Sequence, residues 1–274
     1  MIRVGINGRF FPNGWRPAKE EIQFAQKADF ASIQFPGEEE GLSPERLGHP
    51  LMDVGVMMRD AGLESVMEII VRMDENGRTP NGYTAVEVLQ NNLPAIRALG
   101  CSCVHWHPML HSYDDSRIMR RIEKTFLEYC AEGVKLAQNE GFLFGIEHNA
   151  ADIPFFSDPK WITVLLTAVP DLKFVWDFNH TDRSHLEAFL LLASRMSMLH
   201  IADAPLPKLN CHLPLGEGTI DIAAYSQSVV QRGFEGIGIL EIGGAPWSGG
   251  FGQDTDAALN YSKRQLLQAL HNHN

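Results

Sequence analysis

Short apolar runs alternate along the whole chain with longer segments of helical periodicity. Eight times, a run rich in β-branched and other apolar residues is followed by a stretch in which apolar residues recur every three or four positions. The predicted strands are 2–7, 30–35, 65–71, 101–106, 142–147, 172–177, 196–201 and 237–242. Strands and helices that alternate in this way are typical of parallel βα units.

Capping residues mark the ends of several predicted helices. Their positions are Pro17 in the first turn of helix one, the capping boxes Thr84–Glu87 and Ser184–Glu187, the N-caps Asp115, Asp158 and Asp221, and the terminal glycines Gly100, Gly141 and Gly233. Two further helices are predicted near residues 50–61 and 254–270.

Eight βα pairs in 274 residues predict a (β/α)8 TIM barrel, a fold that typically needs about 250 residues. We expect residues 1–274 to form one domain, since no linker, repeat or low-complexity tract interrupts the pattern. The alternative is an open doubly wound sheet, which calls for a glycine-rich phosphate loop after the first strand. The run Gly5-Ile6-Asn7-Gly8 does not have that form.

The charge balance disfavours nucleic acid as a partner. The chain has 23 basic and 34 acidic residues, so its formal net charge is −11, whereas proteins that bind phosphate backbones need a basic surface. The four cysteines, Cys101, Cys103, Cys130 and Cys211, do not have the spacing of a zinc site and are too few for a disulfide framework. With no visible signal peptide or membrane-spanning run, we expect a cytoplasmic protein without a membrane partner.

Four consecutive strands carry an ionisable residue at the last position that faces the barrel interior. These are Glu147, Asp177, His200 and Glu241. The positions two residues earlier are small or apolar, as interior positions of a barrel should be. Since the carboxyl ends of barrel strands form the site at which substrates bind, we expect these four side chains to converge there.

Two glutamates, an aspartate and a histidine in one pocket would repel each other if no cation lay between them. Mixed oxygen and nitrogen ligands suit Mn²⁺, Mg²⁺ or Co²⁺, and Zn²⁺ is also compatible. The alternative is that each acid pairs separately with an arginine or caps a helix. We favour one divalent metal ion, because unpaired buried carboxylates are rare.

Five segments together resemble the xylose isomerase-like TIM-barrel superfamily, the sugar-phosphate isomerase/epimerase group. They are Gly145-Ile146-Glu147-His148-Asn149, Trp176-Asp177-Phe178-Asn179-His180, Leu199-His200-Ile201-Ala202-Asp203, the run from His212 to Asp221, and Gly238-Ile239-Leu240-Glu241. The resemblance implies that Glu147, Asp177, His200 and Glu241 bind one divalent metal and that Glu147 and Glu241 transfer a proton through an enediolate. It thereby implies an isomerase or epimerase of a small ketose, sugar phosphate or inosose.

Further residues are candidates for contact with a small, carbohydrate-like substrate. His180 matches a family position near the metal; alternatively, it is a core or loop histidine bonded to a backbone carbonyl. His212 either contacts the substrate or is a solvated loop residue. Trp15, like Trp106 and Trp247, follows a strand end and would either stack on a sugar or pack in the core.

His107 resembles the strand-four position that the related endonuclease IV group uses for an extra zinc. That group needs three metals and more histidines. Strand three of this chain offers Glu68 instead, and Asn210 stands where that group has a loop aspartate. Asp203 either orients His200 or bonds loop amides, and we regard Cys211 as incidental.

Three other functions remain as alternatives to an isomerase or epimerase. A dehydratase of a cyclic hydroxy-ketone would use the same enediolate and differ only in the loss of a β-hydroxyl. A phosphodiesterase of damaged DNA would need three zinc ions and a basic groove, and a non-catalytic barrel would need neither. The resemblance also implies that a homo-oligomer is possible.

Overall fold

The computed structural model describes residues 1–10, 16–110, 115–153, 155–243 and 252–271. Eight parallel strands in these ranges close into a barrel in chain order, with β8 hydrogen-bonded to β1. The strands are β1 (Ile2–Asn7), β2 (Ser32–Gly37), β3 (Glu64–Met73), β4 (Cys103–Leu110), β5 (Leu143–Glu147), β6 (Lys173–Asp177), β7 (Met196–Ile201) and β8 (Gly236–Leu240). The predicted (β/α)8 TIM barrel is confirmed.

Helices separate the strands and cover the outside of the barrel. They are α1 (Ala18–Lys27), α2 (Pro44–Leu47), α3 (Leu51–Ala61), α4 (Ala85–Leu99), α5 (Ser116–Glu140), α6 (Pro159–Ala168), α7 (Leu186–Leu190), α8 (Ile222–Gln231) and α9 (Asp256–His271). Thr84 and Glu87 form the predicted capping box, and Asp115, Asp158 and Asp221 cap their helices through side-chain hydrogen bonds. Within the described ranges, none of the helices has both the length and the apolarity needed to cross a bilayer.

Two local predictions were wrong. The segment before α7 does not start with a capping box at Ser184, because the Asp182 carboxylate accepts the Ser184 backbone N–H at 2.8 Å and begins a short 3₁₀ turn, Arg183–His185, instead. β4 also runs four residues past the predicted end at Trp106, because residues 107–110 continue the parallel ladder with β3.

The buried apolar residues form two separate clusters. The smaller cluster fills the barrel interior and consists of Val66, Cys103, Val175, Met198, Ile237 and Ile239. The larger cluster lies between the strands and the surrounding helices. Since side chains alternate along a strand, the next inward position above the uppermost interior residue of each strand belongs to the mouth of the barrel.

β3 and β4 are longer than the other strands and form a wall on one side of the mouth. Pairing of β2 with β3 ends at Ile69, and pairing of β4 with β5 ends at Trp106. Beyond these points, residues 70–73 pair only with residues 107–110. We call this parallel two-stranded extension the β3–β4 ribbon.

A buried ion-pair network secures the chain just after β1. Arg9 is 6% exposed and Glu21 is fully buried, and their closest side-chain atoms are 2.7 Å apart. Arg9 also contacts Asp256 at 2.7 Å and donates to the backbone oxygen of Asp254 at 2.9 Å. The loop after β1 is thereby fastened to α1 and to the start of α9.

Candidate metal centre and active site

Four consecutive strands bring an ionisable side chain to the carboxyl-terminal mouth of the barrel. Glu147 and Asp177 are the last residues of β5 and β6, His200 is the penultimate residue of β7, and Glu241 directly follows β8. All four are buried, and the most exposed of them, Glu241, is 7% exposed. The four residues that the sequence singled out therefore meet at one place.

The four side chains surround a space that suits one cation. His200 Nδ1 lies 2.9 Å from Glu241 Oε2 and 3.2 Å from Glu147 Oε1. With one ligand atom from each of these residues and from Asp177, all the atoms lie within 4.8 Å of one another. Divalent cations bind protein oxygens at about 2.0–2.6 Å, so a single ion fits between atoms at this spacing.

Several ligand atoms of this cluster have no hydrogen-bond partner among the described residues. Both carboxylate oxygens of Glu147, Oδ2 of Asp177 and Nδ1 of His200 are buried and form no hydrogen bond of acceptable geometry with any described residue. Buried polar atoms are normally paired, so four unpaired ones directed at one point indicate a ligand of opposite charge. The residues present fit a divalent metal ion.

The pKa values within the cluster show how closely its charges are coupled. Burial favours the neutral form of Glu147, but His107 and His200 outweigh burial and hold its pKa well below the usual range. Burial raises the pKa of Asp177 to about 6. His200 overcomes the effect of burial on Glu241 and lowers that pKa to about 2, while the two glutamates raise the pKa of His200 against the effect of its own burial. A cation and the imidazole proton therefore compete for the same negative charge.

The second ring nitrogen of His200 is fixed by Gln34 on β2. Nε2 lies 2.9 Å from Gln34 Oε1, and Gln34 Nε2 donates to Glu68 Oε2 at 3.2 Å. Because the amide nitrogen of Gln34 is committed to Glu68, its oxygen faces His200 and accepts the Nε2 proton. Nδ1 is then the nitrogen whose lone pair can bind a metal, since a metal-binding histidine normally donates its other N–H to an outer partner.

His107 on β4 is held by hydrogen bonds at both ring nitrogens. Asn149 Nδ2 donates to two backbone carbonyls, both at 2.6 Å, so its Oδ1 accepts from His107 Nε2 at 2.9 Å. His107 Nδ1 donates to Glu68 Oε1 at 3.1 Å. Although burial lowers the pKa of His107, Glu147 and Glu68 outweigh burial and raise it. His107 thus serves as a cationic donor beside the cluster, with neither nitrogen open to a further metal ion.

His180 lies against the four candidate metal ligands, as the resemblance implies. Its Nδ1 is 3.0 Å from the His148 backbone oxygen, 3.2 Å from Asp177 Oδ2 and 3.3 Å from Glu147 Oε1. Burial lowers its pKa, but the two carboxylates prevail and raise it to about 10. Because Nδ1 faces only acceptors, it carries a proton, and Nε2 has no hydrogen-bond partner within the described ranges.

His212 is part of the long loop after β7 and packs against the site. Its Nδ1 donates to the Glu241 backbone oxygen at 2.9 Å, and its Nε2 is 3.0 Å from Asn210 Oδ1. Its ring lies perpendicular to that of His180, with the ring centroids 5.8 Å apart. Asn179 holds this loop through its Oδ1, which accepts the backbone N–H groups of Cys211 and His212. His212 therefore braces Glu241 in addition to facing the mouth.

The remaining candidates from the sequence have different surroundings. Asp203 bonds loop amides rather than His200, since its carboxylate accepts the backbone N–H groups of Ala204, Gly216 and Ile220 at 2.8–3.0 Å. Trp106 is fully buried against Phe126 and Phe144 in the outer core, so it lines no sugar site. Trp15 and Trp247 lie outside the described residues.

Sequence reasoning missed several polar residues that complete the site. Asn7 Nδ2 donates to Glu241 Oε1 at 3.2 Å. His105 is fully buried, and its Nε2 lies 3.5 Å from Glu147 Oε2. Gln34 and Asn149 are the others, and Glu68, which the sequence singled out only as the strand-three residue in place of a histidine, contacts both His107 and Gln34. The alternation that singled out Glu147 on β5 would also have found the inward positions of β1 to β4, because each of them is a polar residue next to apolar outward neighbours.

Comparison with known proteins places this barrel among related folds. The family model described as xylose isomerase-like TIM barrel matches residues 22–264. None of the curated protein sequences compared with the chain matches it significantly.

Solved structures with low sequence identity share the fold over almost the whole chain. The IolI protein, with a zinc atom in its structure, superposes with a TM-score of 0.79 at 16% identity, covering 100% of this chain and 99% of its own. D-allulose 3-epimerase from Methylomonas sp. gives 0.77 at 16% identity and 98% of each chain. 3-Keto-D-glucoside 4-epimerase YcjR from E. coli gives 0.74 at 13% identity, covering 98% of this chain and 100% of its own. The family match spans most of the sequence, and the chain belongs to the xylose isomerase-like TIM-barrel family.

Proposed function

We propose that this protein is a divalent-metal-dependent isomerase or epimerase of a small ketose, sugar phosphate or inosose. The observation that carries the proposal is the convergence of buried ligand atoms from Glu147, Asp177, His200 and Glu241, of which those of the first three residues include unpaired atoms. Two of the similar structures are sugar epimerases by name and a third contains zinc, which agrees with this chemistry. Mn²⁺, Mg²⁺, Co²⁺ and Zn²⁺ are all compatible with the ligand set.

A cation held by these residues would act as a Lewis acid toward the carbonyl and the neighbouring hydroxyl of the substrate. It would thereby lower the pKa of the C–H on the hydroxyl-bearing carbon next to the carbonyl. Glu147 and Glu241 approach His200 Nδ1 through separate carboxylates, at 3.2 Å and 2.9 Å. A substrate bound at this cation would therefore lie within reach of two carboxylates. One glutamate removes the proton, and the other returns it to the adjacent carbon or to the opposite face.

The two glutamates have different surroundings, which suits one removing the proton and the other returning it. Asn7 Nδ2 donates to one oxygen of Glu241 at 3.2 Å, and the other oxygen lies 2.9 Å from His200 Nδ1 on the proposed metal side. The two oxygens of Glu147 face histidine N–H donors, with His180 Nδ1 3.3 Å from one oxygen and His107 Nδ1 3.5 Å from the other. These contacts keep both glutamates ionised, which a proton acceptor requires, and leave the His180 Nε2 atom to bind a substrate hydroxyl.

The proposal is tested by metal analysis combined with solvent-proton exchange. The protein is assayed for bound metal, stripped with a chelator and reloaded with each of the four cations. Ketoses, inososes and dehydroshikimate-like acids are then incubated with it in D₂O and followed by NMR. We expect about one equivalent of metal and deuterium at the carbon next to the carbonyl, accompanied by isomerisation or epimerisation.

Variants of the two glutamates separate the chemistry from the fold. Glu147→Gln and Glu241→Gln should lower exchange by about 10²–10⁴-fold, the usual contribution of a positioned acid or base. Glu20→Gln, which changes an exposed acid on α1, is the matched control and should exchange normally. Exchange that survives chelation or either substitution contradicts the mechanism.

Each rival function has its own outcome in the same experiment. Loss of water from inososes or dehydroshikimate-like acids, with no turnover of ketoses, would replace the isomerase by a dehydratase. Three equivalents of zinc would favour a phosphodiesterase. A protein that binds no metal and turns over none of the compounds would be a non-catalytic barrel.

A further inference from the structure

Arg72 stands on the β3–β4 ribbon above the four candidate metal ligands and has no polar partner among the described residues. Inward residues of β3 alternate, so Ile70 and Arg72 share the face of Glu68, which itself contacts His107 at 3.1 Å. Arg72 is exposed, and its guanidinium forms no hydrogen bond or ion pair with the described part of the chain. Substrates of TIM barrels bind at this mouth, so a charged side chain there that makes no structural contact is available to a ligand.

Arg72 lines a cavity of about 450 Å³ at the end of the ribbon. Its other described lining residues are Met73, Asp74, Arg78, Thr79, Pro80, Met109, Leu110 and Ile153. Met109 is the next inward position after His107 on β4, so the cavity begins about 7 Å above His107 at the ordinary rise of about 3.3 Å per residue. The cavity and the metal cluster thus open on the same side of the barrel.

The charge of this cavity is opposite to that of the whole chain. Two arginines and one aspartate give its described lining a formal charge of +1, whereas the chain carries −11. Asp74 is occupied by the backbone N–H groups of Asn76 and Arg78, at 2.8 and 3.0 Å, and the bond from Arg78 lowers its pKa. Asp74 therefore organises the loop, and the guanidinium of Arg72 remains available to an anion.

The geometry points to a distal subsite in which this cavity binds a terminal anionic group, phosphate or carboxylate, of the substrate whose ketone end lies at the metal cluster. This inference rests on the proposed function and names its substrate class. Five C–C bonds of about 1.5 Å span on the order of 6 Å. This length is comparable with the separation of about 7 Å between Met109 and His107, which lies 3.5 Å from Glu147. The planar guanidinium matches both kinds of anion through paired N–H donors, and Met73, Met109 and Leu110 form an apolar wall of the cavity beside it.

The test compares three probes that share one carbon skeleton: D-fructose, D-fructose 6-phosphate and the terminal carboxylate D-fructuronate. Dissociation constants for the Mn²⁺-loaded protein are measured by calorimetry at low and high salt. We expect one anion to bind at least about 10-fold more tightly than D-fructose, and the identity of that anion distinguishes phosphate from carboxylate. The preference should shrink as salt rises, since the contact is exposed.

Two variants of Arg72 and one control make the assignment specific. Arg72→Gln should reduce the ratio of the D-fructose to the anion dissociation constant by about 10-fold, and Arg72→Lys should retain part of it because the charge remains while the paired donors are lost. Arg59→Gln, on the exposed surface of α3, should leave the ratio unchanged. Circular dichroism confirms that each variant is folded.

The inference fails if D-fructose binds as tightly as both anions, if no probe binds, or if Arg72→Gln keeps the preference. Its failure is separable from that of the proposed function. Loss of metal-dependent exchange would refute the reaction while the binding ratio still reported on Arg72. An unchanged ratio beside normal exchange would refute only the subsite.

Discussion

Replacement of Gln34 by methionine should weaken metal binding although Gln34 is not one of the four proposed ligands. Gln34 is fully buried, accepts the His200 Nε2 proton at 2.9 Å and donates to Glu68 at 3.2 Å. Methionine has a similar length and no strong acceptor. The substitution therefore leaves His200 Nε2 without its partner and frees the ring to rotate or to exchange its tautomer.

The expected size of the effect follows from the burial of this hydrogen bond. A buried donor that loses its partner costs about 1–3 kcal/mol, and each tenfold change in an equilibrium constant corresponds to about 1.4 kcal/mol. Loss of outer partners of metal-binding histidines typically costs 10–100-fold in affinity. We therefore expect Gln34→Met to raise the metal dissociation constant by about 10–100-fold.

Competition with a chromogenic chelator measures this affinity directly, and the absorption spectrum of the Co²⁺-loaded protein reports the geometry around the metal. Gln26→Met is the matched control, because Gln26 makes only a long exposed contact of 3.5 Å to Ala61. If Gln34→Met is folded and binds Co²⁺ within about threefold of the unmodified protein, or if Gln26→Met loses as much affinity, the hydrogen-bond argument is wrong.

Two further predictions concern stability. Arg9→Met leaves the Glu21 carboxylate buried beside only the partly exposed Arg16, so urea unfolding should show a loss approaching about 3–5 kcal/mol; a loss below 1 kcal/mol would mean that the pair is dispensable. In EDTA, the stability due to His180 is fully present below pH 6.5 and is lost as pH rises toward its folded-state pKa of about 10. The urea midpoint should therefore fall between pH 6.5 and 9, and less steeply in His180→Gln; parallel curves for the two proteins would contradict this.

The barrel could be predicted from sequence because its signals are local. Helix ends at Thr84, Asp115 and Asp221 follow from hydrogen bonds within one turn, and strand runs follow from burial on both faces. The end of β4 was missed because its last residues are held by β3, a contact that a window of sequence does not contain. Asp182 replaced Ser184 as a cap because two acceptors competed within a few residues.

The four candidate metal ligands could be predicted from the sequence, but the amides around them could not, for a related reason. The ends of β5 to β8 carry acids and a histidine, which attract attention as possible ligands. Gln34 and Asn149 are amides, which sequence inspection passes over, and their importance comes from which partner each faces. The choice between the two roles of Asp203 also needed coordinates, since its amide partners Gly216 and Ile220 are 13 and 17 residues away, whereas His200 is much nearer in sequence.

The β3–β4 ribbon suggests how a protein of this shape can acquire new selectivity. Its residues pair with each other and with no other strand, so a change at Ile70, Arg72 or Met109 does not disturb the ladder that closes the barrel. Glu147, at the end of β5, and Glu241, after β8, lie outside the ribbon, although β5 is the strand next to β4. In the proposed function, binding of the far end of the substrate and proton transfer therefore depend on different residues, so one can diverge while the other is preserved.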